Sequence, residues 1–394
     1  MDRVAFLHIP KTAGVTIREE ITKYYDSSEI HHVLHPNKWV PERRVKEAKF
    51  IHGHFGWRVA NHDYFDGFKK ILFIRDPLSR IRSLYNFLVG CEVSACVSDA
   101  DLRRVEFAKS STFEEFALND VKGIKGGVCN QQTRFLTDDL KPGISDSDRI
   151  DMAISRLSQI TVVGVVEKMQ ESLDLLSYEL GILPINSNIK RNSSVMQSNY
   201  SPEFLEAVRD RNALDFMLFD EAKKILQRKL KILNGVSLEK LALDRQYINK
   251  VAQEQLELSF DSAIFGENWY ERESNESFVW RFTGPNKLTR IYFPAIDSSP
   301  KVLNIYIPHV VDVNIFDEIK INFNGFKLAG VILMHCSGQY VLTSIINTSY
   351  LYSSNHNVLE IETDFTKKPA GLNDDRLLGI AVSKIELLAT IREF

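Results

Sequence analysis

The chain has little of what usually anchors a protein to metal, membrane or nucleic acid. It has only four cysteines, Cys91, Cys96, Cys129 and Cys336. No two of them have zinc-ribbon or thioredoxin spacing, so neither a disulfide framework nor a structural metal is implied. A reducing cytoplasm is the compartment that such cysteine usage suggests. No run of about 18 uncharged apolar residues exists, which excludes a membrane-spanning helix. Basic charge is not in excess either: the net charge of −3 offers no bulk field to hold nucleic acid or an anionic membrane, so any anion site is local. The opening residues Met1–Ile9 lack the build of a secretory signal and read as a strand entering a fold. Internal repeats and low-complexity tracts are missing as well.

What is present is the composition of a chain that folds throughout, 44% hydrophobic and 26% charged. Its 394 residues exceed the size, about 250–300 residues, at which a single core stops growing, so two domains are expected. Up to residue 233, short apolar runs alternate with helical periodicity, which predicts a parallel α/β sheet flanked by helices. The strands are expected at Val4–Ile9, Lys49–His52, Lys70–Ile74 and Ile160–Val166. Helices are expected at Val15–Tyr25, Pro77–Leu88, Ser111–Leu118, Ile150–Leu157, Met169–Leu180 and Ser201–Lys231, giving an initial order βαββα. Residues 234–262 read as a helical linker. From 263 to 394, short strand-like runs punctuated by Gly, Pro, Asn, Asp and Ser predict an antiparallel β-sandwich.

The chemistry concentrates at the ends of the first strands. Pro10-Lys11-Thr12-Ala13-Gly14-Val15-Thr16 joins a strand to a helix start through small residues. Small side chains let backbone N–H groups close around an anion, and the helix N-terminus adds partial positive charge. Lys11 adds a full charge, and Thr12 and Thr16 add hydroxyls. This is not the nucleoside-triphosphatase loop, because G-x-x-x-x-G-K-[ST] is absent. A second anion signal is Arg75, at the end of the third expected strand, followed by Asp76 as helix cap and Pro77 in the first turn. Ser83 shares the non-buried face of that helix, so Arg75 and Ser83 can hold a second phosphate. Arg75 paired with Asp76 is the plain alternative. His52-Gly53-His54 sets two imidazoles on one face of a strand, and imidazole titrates where a general base is needed. His54 is the favoured base and His52 the alternate; a partly buried histidine pair, or a metal site with His31, His32 and His35, are the competing readings.

Together, Ile9-Pro10-Lys11-Thr12-Ala13-Gly14, then Ile74-Arg75-Asp76-Pro77 and Ser83, resemble the two nucleotide signatures of sulfotransferases. Asn130–Leu136 and Val163–Met169 resemble later blocks of the carbohydrate branch, and His-Gly-His is similar to the heparan or uronyl 2-O-sulfotransferases; the resemblance covers roughly residues 3–230. It departs at Val15, where relatives carry a small or hydroxyl residue. The resemblance implies 3'-phosphoadenosine 5'-phosphosulfate (PAPS) as donor, no metal requirement, and a carbohydrate acceptor: an oligosaccharide, polysaccharide or glycolipid. It assigns the 5'-phosphosulfate to the first loop, the 3'-phosphate to Arg75 and Ser83, charge neutralisation on the leaving oxygen to Lys11, and the base to a histidine of the motif. Lys190-Arg191-Asn192-Ser193 is a further basic stretch near the ligand or in a solvated loop.

The segments Phe265–Glu273 and Val279–Thr283 resemble openings of sandwich domains appended to bacterial glycan-modifying enzymes. Trp269, Tyr270 and Trp280 are there either to stack on sugars or to fill the core. Two other functions compete: a nucleotide-dependent kinase, for which no triphosphate loop is found, and a non-catalytic glycan-binding protein. The residues carry no signal for an oligomeric state.

Overall fold

The structure, a computed structural model, describes residues 1–33, 42–93, 98–121, 123–141, 143–186, 200–247, 252–351, 356–363, 366–369 and 374–390. His35, Cys96 and Lys190–Ser193 lie outside them. The chain divides into two compact units, one of residues 1–20, 28–180 and 184–236, the other of 21–27, 181–183 and 237–394.

The first unit is built on five strands, β1 (Val4–Leu7), β2 (Ile30–Val33), β3 (Phe50–Gly53), β4 (Lys69–Ile74) and β5 (Val162–Val165), in the order β2-β3-β1-β4-β5. Every pairing is parallel. All residues of β1, β3 and β5 are buried, which explains why they read as unbroken apolar runs: helices cover both faces of such a sheet. The expected order βαββα omits β2. That edge strand, Ile30-His31-His32-Val33, buries only Val33 and so lacks an apolar run to betray it.

Helices α1 (Gly14–Thr22), α2 (Pro77–Gly90), α3 (Gln131–Leu136), α4 (Met169–Leu180), α5 (Pro202–Arg211) and α6 (Ala213–Leu230) serve this unit. The start of α2 is set by chemistry: the Asp76 carboxylate accepts from Ser79 N–H at 2.8 Å, and Pro77 occupies the first turn. Its buried Ile81 and Leu88 pack among Phe113, Phe116 and Phe204. The single helix expected over Ser201–Lys231 is two helices broken at Asn212. That side chain is fully buried; its Oδ1 accepts from Asn130 N–H at 2.9 Å and its amide donates to Val208 O.

The second unit is antiparallel. One sheet runs Ile332–Cys336, Gln339–Ile346, Lys301–Ile307, Lys384–Ala389, Leu256–Ser259. Another runs Phe326–Lys327, Lys320–Phe323, His356–Glu362, Leu288–Pro294, Gly266–Glu267, and a four-stranded sheet runs His309–Val310, Ile380–Val382, Val279–Thr283, Trp269–Ser274. The strand Lys301–Ile307 shows the alternation, with Leu303, Ile305 and Ile307 turned into the core. Within the stretch read as a linker, Leu238–Tyr247 is helical and Leu256–Ser259 is a strand of the first sheet. Trp269, Tyr270 and Trp280 keep at most 8% of their surface exposed, so they fill the core and offer no ring face to a sugar. Among the described residues, no helix is long and apolar enough to cross a membrane.

Candidate active site

Because the five strands are parallel, the segments leaving β1, β3 and β4 emerge on one edge. The connection from β1 leads to β2 on one side, and that from β4 leads to β5 on the other, which opens the crevice in which open α/β sheets bind ligands. Lys11, His54 and Arg75 each follow one of these strand ends.

The loop after β1 is wound tightly, with positive φ at Lys11 (72°) and Ala13 (63°). Left-handed residues set one apart turn successive N–H groups toward a common side, the geometry of an anion nest, at a cost of about 1–3 kcal/mol for each non-glycine residue. Thr12 is fully buried and its hydroxyl donates to Ile9 O at 2.9 Å, so its proton braces the loop instead of facing a ligand as expected. Gly14 opens α1 with no room for a side chain: an added Cβ would stand 1.8 Å from His8 Nε2. Pro10 and Thr16 are half-buried and Val15 is exposed.

Arg75 reaches back to this loop, its guanidinium NH1 donating to Lys11 O at 3.2 Å. Arg75 Nε is buried without a partner, and among the described residues no ion pair, with Asp76 or otherwise, is formed by Arg75 or Lys11. Burial pulls both cations below their usual pKa; the Arg75 guanidinium adds to the effect on Lys11, while Glu167 and Asp76 oppose it on Arg75. The Lys11 ammonium rests 4.1 Å above the ring of Phe87, on α2 one turn beyond the half-buried Ser83. Two unpaired cations held together and partly desolvated make a receptor for an anion with more than one charged group.

The histidines form two rows. His32, His52 and Phe6 align across β2, β3 and β1, with the His32 and His52 rings stacked at 4.5 Å. His52 is only 6% exposed, and burial, followed by His32, pushes its pKa down to about 3. One step further along the edge, the rings of His54 and His8 lie 4.5 Å apart, and His54 Nδ1 is 2.7 Å from His8 O. A carbonyl only accepts, so Nδ1 is the donor in this contact, and in the neutral ring the lone pair falls to Nε2. Gly53 between the two histidines cannot be replaced, since a Cβ there would sit 2.3 Å from Val33 O. Among the described residues, no group of three His, Cys, Asp or Glu side chains is placed to hold a metal.

Two residues of the site escape sequence reasoning. His8, also pushed to about 3 by burial and then by His54, carries the carbonyl that orients His54. Gln132 pairs with both backbone groups of Arg75. His8 had a faint signal in its position just after β1; Gln132 stood in a block singled out by resemblance and without any role of its own.

Fold and edge together define an α/β protein that gathers two cations and a pair of histidines at the ends of its parallel strands, beside a strand switch point. A family model described as the sulfotransferase family matches residues 1–220, more than half of the chain, and the chain belongs to that family. No curated protein matches it. Among solved structures, a family 35 carbohydrate binding module from Clostridium thermocellum is 12% identical over 36% of this chain and 98% of its own, with a TM-score of 0.21. A module of the same family from Paenibacillus barcinonensis is 11% identical over 36% and 95%, TM-score 0.19. A family GH115 4-O-methyl-α-glucuronidase is 9% identical over 95% and 54%, TM-score 0.22. Likeness at these TM-scores carries no argument about this chain.

Proposed function

We propose that this sulfotransferase moves a sulfuryl group from PAPS to a hydroxyl of a carbohydrate acceptor, with His54 as general base. The observation that carries the reading is the company kept on one sheet edge: the unpaired Lys11 and Arg75 beside a histidine whose Nδ1 is occupied by the His8 carbonyl. A bisanionic nucleotide suits the two cations, with the 5'-phosphosulfate at the loop 10–16 and the 3'-phosphate between Arg75 and Ser83. The similarity of residues 130–136 and 163–169 to the carbohydrate branch supports a sugar as acceptor.

In the step, the acceptor oxygen attacks sulfur in line with the bridging oxygen. The new S–O bond forms as the bond to the 5'-phosphate breaks, and the acceptor proton passes to His54 Nε2. Adenosine 3',5'-bisphosphate departs with its new charge neutralised by Lys11, and the imidazolium later releases its proton to solvent. Catalysis of this kind rests on positioning and electrostatics, and nothing in the step calls on a metal.

The test is to incubate a panel of oligosaccharides, polysaccharides and glycolipids with PAPS and the protein and look for the mass of one added sulfuryl group. Sulfation of a sugar acceptor is expected. Phosphorylation from ATP and magnesium without sulfation would replace this reading with a kinase, and glycan binding without either reaction would replace it with a binding protein.

A further inference from the structure

The last ladder pair of β4 with β5 is Ile74 with Val165, so the backbone of Arg75 has already left the sheet. A glutamine takes the place of the missing strand. Gln132, fully buried at the start of α3, accepts from Arg75 N–H through Oε1 at 2.9 Å and donates to Arg75 O through Nε2 at 2.8 Å. The next peptide is held in the same manner, Asp76 N–H donating to Glu167 Oε1 at 3.0 Å.

Gln132 is itself anchored from the far side. Its backbone N–H donates to Asp215 Oδ2 at 3.1 Å, and the N–H and hydroxyl of Thr133 both donate to Oδ1 at 2.8 Å. Asp215 is fully buried in the first turn of α6 and donates its own N–H to Asn130 Oδ1. By contrast, the Arg75 fork has little to fix it: Nε lacks a partner and NH1 meets one carbonyl. Where the guanidinium points is therefore set by where its backbone is pinned.

We infer that Gln132 is the positioning residue that aims the Arg75 fork, and that through it the site distinguishes nucleotides carrying a 3'-phosphate from those without one. This rests on the reading above, in which Arg75 addresses that phosphate.

The experiment measures affinities for adenosine 3',5'-bisphosphate and for adenosine 5'-phosphate in the full-length protein and in Arg75→Ala, Gln132→Met and Gln132→Glu, together with melting temperatures. Gln132→Met, similar in shape but unable to pair, should reduce bisphosphate affinity roughly 10–100-fold, on the scale of about 10² that a misplacement of about 1 Å can cost a positioned group, and leave the monophosphate unaffected. Gln132→Glu keeps the acceptor for Arg75 N–H but loses the donor and sets a carboxylate oxygen against Arg75 O, so its preference should fall by at least about fivefold, the worth of one net hydrogen bond. If Gln132→Met does not fold, Gln132→Glu decides alone. A role confined to stability would lower the melting temperature of the Gln132 variants while their preference stayed at the wild-type value, and that result overturns the inference. If Arg75→Ala also retains the full preference, the assignment of the 3'-phosphate to Arg75 fails first.

Discussion

His54 Nδ1 and the carbonyl oxygen of His8 stand 2.7 Å apart, and the two imidazoles face each other at 4.5 Å. This contact separates the two histidines of the His-Gly-His motif. His54 has Nδ1 tied to that carbonyl, which directs the lone pair of the neutral ring to Nε2, whereas His52 is stacked in the sheet and held neutral by burial. His54→Ala should therefore lower kcat by about 10²–10⁴ with donor affinity unchanged, the range typical of a positioned base. His52→Ala should be milder in kcat and show mainly in the melting temperature. Steady-state kinetics with binding of adenosine 3',5'-bisphosphate checks both; a reversed ranking moves the base to His52, and two fully active variants remove it from the motif.

Arg75→Ala should weaken the nucleotide far more than the acceptor. Arg75→Lys should recover little, because an ammonium cannot present the planar fork. Stabilisation of the protein by adenosine 3',5'-bisphosphate should persist in excess chelator. A thermal-shift titration with and without magnesium reads this, and loss of the shift on chelation would contradict a cradle built of protein groups alone.

Gly14→Ala tests the packing of His8 against the start of α1. The added methyl has 1.8 Å where a van der Waals contact needs about twice that, so the ring of His8 must move. The expected cost is about 1–3 kcal/mol of stability, accompanied by a fall in kcat because the His8 backbone also holds His54. Denaturant unfolding and kcat are the measurements; a variant destabilised but fully active would uncouple His8 from the base.

Acid should destabilise the fold earlier than carboxylate titration alone would. His8 and His52 have folded pKa values of about 3, below the ordinary value of 6.5, so below 6.5 the unfolded chain binds more protons than the native one. Stability from holding them neutral is complete above 6.5 and lost as the pH falls toward 3, by up to about 1.4 kcal/mol per pH unit for each histidine. Unfolding free energies measured between pH 7 and 4 should fall accordingly. His52→Phe should flatten the slope, and an unchanged slope would show that His52 is not held neutral by the fold.

Much of the frame was legible because it rests on local chemistry. Asp76-Pro77 starts α2 where a cap and a first-turn proline must, and the apolar runs of β1, β4 and β5 announce strands buried on both faces. What was not legible depended on partners distant in sequence. Asn212 interrupts an otherwise continuous helical pattern because it is needed 82 residues away, at Asn130. Strand β2 hid because an edge strand with two histidines has no apolar run, and Trp269, Tyr270 and Trp280 did not reveal which way they face.

The sequence by itself determined the α/β and β-sandwich classes, the tight loop of small residues at 10–16, the place of Arg75 at one strand end and of the His-Gly-His motif at another. Periodicity, capping and the small residues of a tight turn act over a few residues, so the chain states them directly. Only the tertiary structure decided that Thr12 turns its hydroxyl inward, that His52 is sealed in the sheet while His54 is oriented by His8, and that Gln132 grips the backbone of Arg75. Each of these depends on which backbone group lies opposite a given side chain, and that is set by strand order and register across residues tens of positions apart.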